Sequence, residues 1–496
     1  MALQPGRWAG LNVPAGLAAL ITQSASIFFV LWSISDRLGL EELGLYSLLI
    51  GSLTILSLTE FGIGTSMVFF SQRPDSPQRK GFSHYYSTAL WTAIAVTLTF
   101  VVLTYWPANL FLESQMPNAD LVAKLHQCLP IVFLTAAVIG VGKVPINALN
   151  GLDHFAPVQF LRTGSYMLLP PLAYFGIVEL GLYGVIVARL LVEIILTVSA
   201  HAMVWSTLPG LHFLPRWFGR NQLKEMLGIS LSFQTSSIIL ILFEPLAKVA
   251  LTMSGSLVIV GQYEVAARIT GFTKELFIRP MAFLGGVFSR NSENRDIAKP
   301  TILLSNLLLV SIPMAALSFA FVIAFLPLSG EILLNGPVDF YVLVSLSLGI
   351  GWAISICAVG PYFYCIGVGN NRPNLESAMI ISFGSAAFSC AAIILDSIWL
   401  VPIGTGLSLV IGEIYLVIRV RYLIRLSLLP MDLVKEFLLA TLVVSLGAVI
   451  YVLDNRVLLA ADLPARLAIV GMLIAVLAAT TIAMKRDTLK LILRHR

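Results

Sequence analysis

Glu264, Arg268, Glu275 and Arg279 recur within a stretch, 261–288, that is otherwise apolar enough to cross a bilayer. At about 100° per residue they project at roughly 0°, 40°, 20° and 60°, within one narrow arc of a helix. Hydrocarbon tolerates such charges only where they face protein or water, so the stripe is expected to point inward to a cavity. The chemistry on offer is recognition. An arginine fork bonds two phosphate oxygens at once, and a carboxylate either neutralises a neighbouring cation or takes up a coupling cation.

Further charges lie inside apolar segments. The candidate cationic lining is Lys143, Arg162, Arg189, Lys248, Arg268, Lys274 and Arg279, and the candidate cavity or ion-coupling acids are Glu60, Glu193, Glu244, Glu264, Glu275 and Glu413. Facing lipid at mid-depth, seven cations would cost about 17–25 kcal/mol even at 2.5–3.5 kcal/mol each, so they must face one another or water. Glu244/Lys248, Glu264/Arg268, Glu275/Arg279 and Arg189/Glu193 are spaced four apart. Such pairs either neutralise each other on one helix face or serve a substrate, and spacing leaves both readings open. Lys143 and Arg162 have no acid three or four residues away, which favours them as substrate contacts. Glu60 has no basic residue within four positions and is the best single candidate for a coupling cation, although beside Gly62 and Gly64 it equally suits the cap of a helix break.

The elements that must hold these charges are membrane helices. Of 496 residues, 58% are hydrophobic and 11% charged, with mean hydropathy +0.90, against about a quarter charged in soluble domains. Windows of about 20 apolar residues give spans at 11–34, 43–70, 86–106, 127–149, 157–177, 182–205, 227–253, 259–288, 301–328, 340–367, 377–395, 400–420, 437–453 and 466–484. The expected class is an all-α polytopic membrane protein of about fourteen transmembrane helices. With the N-terminus in the cytoplasm, 20 of the 31 Lys and Arg fall inside and four outside, as the positive-inside rule requires. The net charge of +5 is therefore topological, and nucleic acid is not an expected partner. Cys128, Cys357, Cys365 and Cys390 all lie in apolar segments and are read as packing residues. No cleavable signal is read, and no His or Cys spacing suggests a resident metal or cofactor.

No connection exceeds roughly twenty residues, so any activity belongs to the helices. Residues 208–225, with two prolines, two glycines and three basic side chains, look like a cytoplasmic linker. The expected organisation is a six-helix bundle at 1–207, the linker at 208–225, a second bundle at 226–425, and two further helices with a basic tail at 426–496. A repeat crosses the linker: Gly44 and Tyr46 recur as Gly261 and Tyr263 at an offset of 217, Glu60 as Glu275 at 215, and Glu193 as Glu413 at 220. Prolines and glycines within spans, including Pro130, Pro145, Pro170, Pro171 and Pro361, mark hinges or static kinks.

The stretches RLGLEELGLYSLLIGSLTILSLTEFGIG, GLDHFAPVQFLRTGSYM, GLYGVIVARLL and VGQYEVAARITGF resemble the polysaccharide and oligosaccharide flippases of the multidrug/oligosaccharidyl-lipid/polysaccharide exporter superfamily. The likeness covers most of the first 425 residues. It implies two pseudo-symmetric six-helix bundles around a central cavity plus two C-terminal helices. It also implies a non-enzymatic transporter in a bacterial inner membrane that flips a polyprenyl-pyrophosphate-linked oligosaccharide outward for lipopolysaccharide O-antigen, capsule or exopolysaccharide assembly. Expected partners are that lipid-linked glycan, membrane lipid, and polysaccharide polymerase and chain-length machinery. A proton or sodium ion is the expected coupling ion. Two alternatives remain: a cation-coupled drug or small-solute antiporter on the same scaffold, and a membrane polysaccharide polymerase, for which the outer connections are short.

Overall fold

The computed structural model describes residues 12–56, 62–71, 79–116, 118–152, 154–208, 218–281, 284, 288, 298–334, 339–424, 430–456 and 462–485. Among these residues there are sixteen α-helices and no strand. They are α1 (Asn12–Arg37), α2 (Leu40–Leu56), α3 (Ile63–Ser71), α4 (Arg79–Ser114), α5 (Ala119–Gly151), α6 (Phe155–Leu180), α7 (Leu182–Thr207) and α8 (Arg220–Ile241). There follow α9 (Phe243–Ser254), α10 (Leu257–Ile278), α11 (Ala298–Leu334), α12 (Asp339–Val368), α13 (Arg372–Ile394), α14 (Leu400–Ile424), α15 (Pro430–Arg456) and α16 (Leu463–Met484). The chain is an all-α, multi-pass membrane protein, and ten of the described helices are individually long and apolar enough to span a bilayer.

Each of the fourteen expected spans overlaps one described helix or two in series, the eighth extending beyond α10. In the second span α3 starts directly after Gly62, whose φ of 72° suits glycine. The seventh span divides at Leu242 into α8 and α9. There Pro245 in the first turn of α9 has no N–H to offer the carbonyl of Ile241. By contrast Pro130 and Pro145 lie within an unbroken α5, Pro170 and Pro171 within α6, and Pro361 within α12.

The chain divides into two compact units, Met1–Gly261 and Gln262–Arg496. In the first, α5 packs on α2, α3, α4 and α7, while α6 lies between α1 and α7. Helix α8, which begins within the 208–225 segment at Arg220, and helix α9 are packed on α2, α3 and α4. In the second, α14 sits against α12 and α13, and α11 against α12, α15 and α16. Small residues allow these approaches, as expected where lipid supplies no hydrophobic drive between helices. A side chain at Gly406 of α14 would strike the backbone of Ser347 on α12, and one at Gly447 of α15 would strike Ala320 on α11.

The repeat glycines meet in the first unit. A Cβ on Gly44 would overlap the carbonyl of Leu257, and one on Gly261 would lie 3.0 Å from the carbonyl oxygen of Leu40. The start of α10 therefore runs backbone against backbone with α2.

Arg466 near the start of α16 and Asp454 near the end of α15 are buried and paired, and the half-exposed Glu331 near the end of α11 joins them. Arg466 Nε donates to Asp454 Oδ1 at 2.9 Å, Nη2 to Oδ2 at 3.2 Å, and Nη1 to Glu331 Oε2 at 2.6 Å. Lys485 pairs with Glu436 at the opposite end of α15 and α16, which pins the hairpin electrostatically at both ends.

Gly44→Ala should push α2 from Leu257 at the overpacking cost of about 1–3 kcal/mol, lowering the thermal unfolding midpoint of purified protein by several degrees. Gly164→Ala, where nothing lies within 4 Å of the added atom, should leave the midpoint within a degree.

Candidate functional site

The first unit gathers polar groups from four helices that are otherwise apolar. Glu193 recurs one turn after Arg189 on α7, so the two side chains share a face, and Arg189 Nη2 lies 2.7 Å from Glu193 Oε1. The same nitrogen donates to the Tyr166 hydroxyl of α6 at 2.9 Å, with the guanidinium 5.1 Å from the ring centroid. Gln23 of α1 donates to that hydroxyl at 3.4 Å, and Ser26 holds the Tyr166 carbonyl at 2.7 Å. Arg162, one turn before Tyr166, is within electrostatic reach of the hydroxyl, and Tyr46 of α2 is within reach of Arg189. The Arg189 Nε–H is buried without an acceptor, a spare donor within the cluster.

Elsewhere in this unit Lys248 is 1% exposed and bonds Glu244 at 2.8 Å. Its stem lies over Gly51 of α2, where an added Cβ would come within 3.7 Å. Lys143 on α5 and Arg162 on α6 are both half-buried. Glu60 lies outside the described residues.

In the second unit Glu264 bonds Arg268 at 2.6 Å and Glu275 bonds Arg279 at 3.1 Å. The charged arc on α10 is thus real and internally paired; Arg279 keeps its partner although it already belongs to a short 3-10 turn, Arg279–Met281. Lys274 differs. Its ammonium lies 3.8 Å from the ring centroid of Trp352 on α12 and 4.0 Å from Glu275. A cation on an indole face gains about 0.5–2 kcal/mol without a neutralising anion.

Glu413 on α14 accepts a hydrogen bond from Ser355 of α12 at 2.7 Å and lies in the electrostatic field of Lys274. Its repeat counterpart Glu193 has an arginine one turn earlier; Glu413 has Leu409 there. The two related acids are therefore buried by different means, one by an ion pair and the other by a hydroxyl.

All four pairs spaced four apart are closed. Tyr166, Gln23, Trp352 and Ser355 are participants that the charge pattern did not single out. Tyr166 carried a usable signal, one turn from Arg162; the other three come from helices remote in sequence, which spacing along one helix does not reveal.

No family model and no curated protein matches the sequence. Solved structures do match in fold. An inward-facing MATE family multidrug resistance transporter of the MOP superfamily superposes with a TM-score of 0.72 at 15% identity, covering 83% of this chain and 98% of that one. The chain has the MOP-superfamily fold. The lipid II flippase MurJ in an inward closed conformation shares it, with a TM-score of 0.73 at 14% identity over 97% of this chain and 100% of MurJ. A MOP-superfamily transporter from Pyrococcus furiosus, described as having a binding pocket of reverse polarity, matches with a TM-score of 0.62 at 16% identity over 84% of this chain and 96% of its own. The MOP fold agrees with the architecture expected from the four motif stretches.

Arg189→Met leaves Glu193 buried without its cation, so it should destabilise the protein by about 3–5 kcal/mol. Arg189→Met with Glu193→Leu should recover most of that loss. Thermal unfolding of the three proteins in one detergent checks both outcomes.

Proposed function

We propose that this MOP-fold protein moves a polyprenyl-pyrophosphate-linked oligosaccharide from the cytoplasmic to the outer leaflet of a bacterial inner membrane by alternating access. Both termini are cytoplasmic in this reading, and the product feeds O-antigen, capsule or exopolysaccharide assembly, with polymerase and chain-length machinery downstream. The observation that carries it is the end-to-end likeness to a lipid II flippase, over 97% of this chain and all of that one, where the MATE transporter reaches 83%. The charge inventory supports the same reading. Seven cations and six acids within the spans favour an anionic head group over a cationic drug. Arg162 and Arg268 are proposed diphosphate contacts, with Lys143, Arg189, Lys248, Lys274 and Arg279 completing the cationic set.

Coupling is assigned to Glu413 ahead of Glu193. A carboxylate held by Ser355 can exchange a proton or bind sodium without first breaking an ion pair, whereas Glu193 is already occupied by Arg189. Glu60, Glu244, Glu264 and Glu275 are the remaining acids of the proposed cavity. The runner-up reading is cation-coupled drug antiport, favoured by the TM-score of 0.72 with the multidrug transporter.

Deleting the gene should abolish surface polysaccharide and accumulate lipid-linked precursor on the cytoplasmic side. Wild-type chain should restore export, while Arg162→Ala and Arg268→Ala at matched membrane levels should restore tenfold less. Full export by both variants would remove them from the site. Retained surface polysaccharide together with drug sensitivity in the deletion strain would favour the antiporter.

A further inference from the structure

A groove of about 340 Å³ indents the first unit between α4, α5 and α7. Its lining includes Leu98, Ala137, Val141, Ile194, Thr197 and Val198, and it presents no polar surface. Three observations define what it faces. On α7, Ile194 and Val198 project roughly 140° and 180° from Arg189, on the side turned away from the charge cluster. Leu98 and Val198 on its rim are 54% and 61% exposed, as side chains bathed in lipid would be. Ile194 is twelve residues from the start of α7 and Val198 nine from its end, about 18 Å and 14 Å at 1.5 Å per residue. The groove therefore sits near the middle of a hydrocarbon core about 30 Å thick, where neither water nor a lipid head group is at home.

We propose that one hydrocarbon chain of a bilayer phospholipid occupies this groove as a bound lipid. An empty groove forfeits dispersion contacts along its lining, and its volume is more than twice that of a cavity of about 150 Å³ that holds benzene. The lining covers only one turn on each wall, residues 94–98, 137–141 and 194–198, or about 6 Å. That shape suits a length of flexible chain and not the flank of another helix, which would seek contact over several turns. Small side chains create the space: Ala137 and Thr197 line it where larger residues would close it. The proposal depends on the chain being a membrane protein and not on its cargo, so its failure would leave the transport reading standing.

The test places the full-length protein in phosphatidylcholine vesicles containing a trace of phosphatidylcholine with a photoreactive diazirine near the acyl terminus. Adducts are mapped by peptide mass spectrometry after illumination. Labelling of residues 94–98, 137–141 and 194–198 is expected to exceed that of Met472 and Val476, which are exposed near the middle of α16, by at least fivefold. Ala137→Phe, or Val198→Phe should the first fail to fold, is expected to reduce it to the α16 level. Equal labelling of groove and α16 face would overturn the proposal. Loss of the label on adding polyprenyl phosphate would reassign the groove to an isoprenoid, and shielding by cross-linked dimers would reassign it to a second copy; either result contradicts a bound phospholipid chain.

Discussion

Everything in this molecule answers to one constraint: a charge inside hydrocarbon must bring its own neutralisation. An unpaired ion there costs several kcal/mol after every relaxation, comparable to the whole stability of a typical domain. The structure meets the cost locally. Arg189 with Glu193, Lys248 with Glu244, Arg268 with Glu264 and Arg279 with Glu275 each close within one helical turn, so each helix carries a nearly neutral pair before it meets a neighbour. A tertiary contact then adds to a neutral unit, the Tyr166 hydroxyl to Arg189, while Lys274 outside these pairs lies over the Trp352 ring.

The same constraint explains what could be read from the chain and what could not. Helices are local, so hydropathy located the helical segments, ten of which are long and apolar enough to span a bilayer. Ion pairs spaced four apart are local too, and their closure follows from 3.6 residues per turn. The break at Leu242 depends on the backbone chemistry of Pro245 inside an apolar run that a hydropathy window smooths over. The network of Arg466, Asp454 and Glu331 joins residues up to 135 apart. Its members sit on three separate helices, so spacing along any one of them does not reveal the pairing. Gln23, Ser355 and Trp352 were illegible for the same reason.

The repeat acquires physical meaning at two places. Gly44 and Gly261, equivalent in sequence, lie where α2 and the start of α10 touch through their backbones. Glu193 and Glu413, also equivalent, have diverged: an arginine neutralises one and a serine hydroxyl holds the other. The sterically tight glycines and the differently partnered acids thus distinguish the two sets of sequence-equivalent positions.

The most direct measurement reconstitutes the purified chain into liposomes containing a fluorescent polyprenyl-pyrophosphate oligosaccharide and follows how fast inner-leaflet label becomes reducible by external dithionite. Protein-dependent exposure, at least tenfold faster than in protein-free liposomes and lowered by Glu413→Gln under an imposed ion gradient, is the predicted result. No acceleration over protein-free liposomes, with the same vesicles expelling a cationic dye against that gradient, would contradict it.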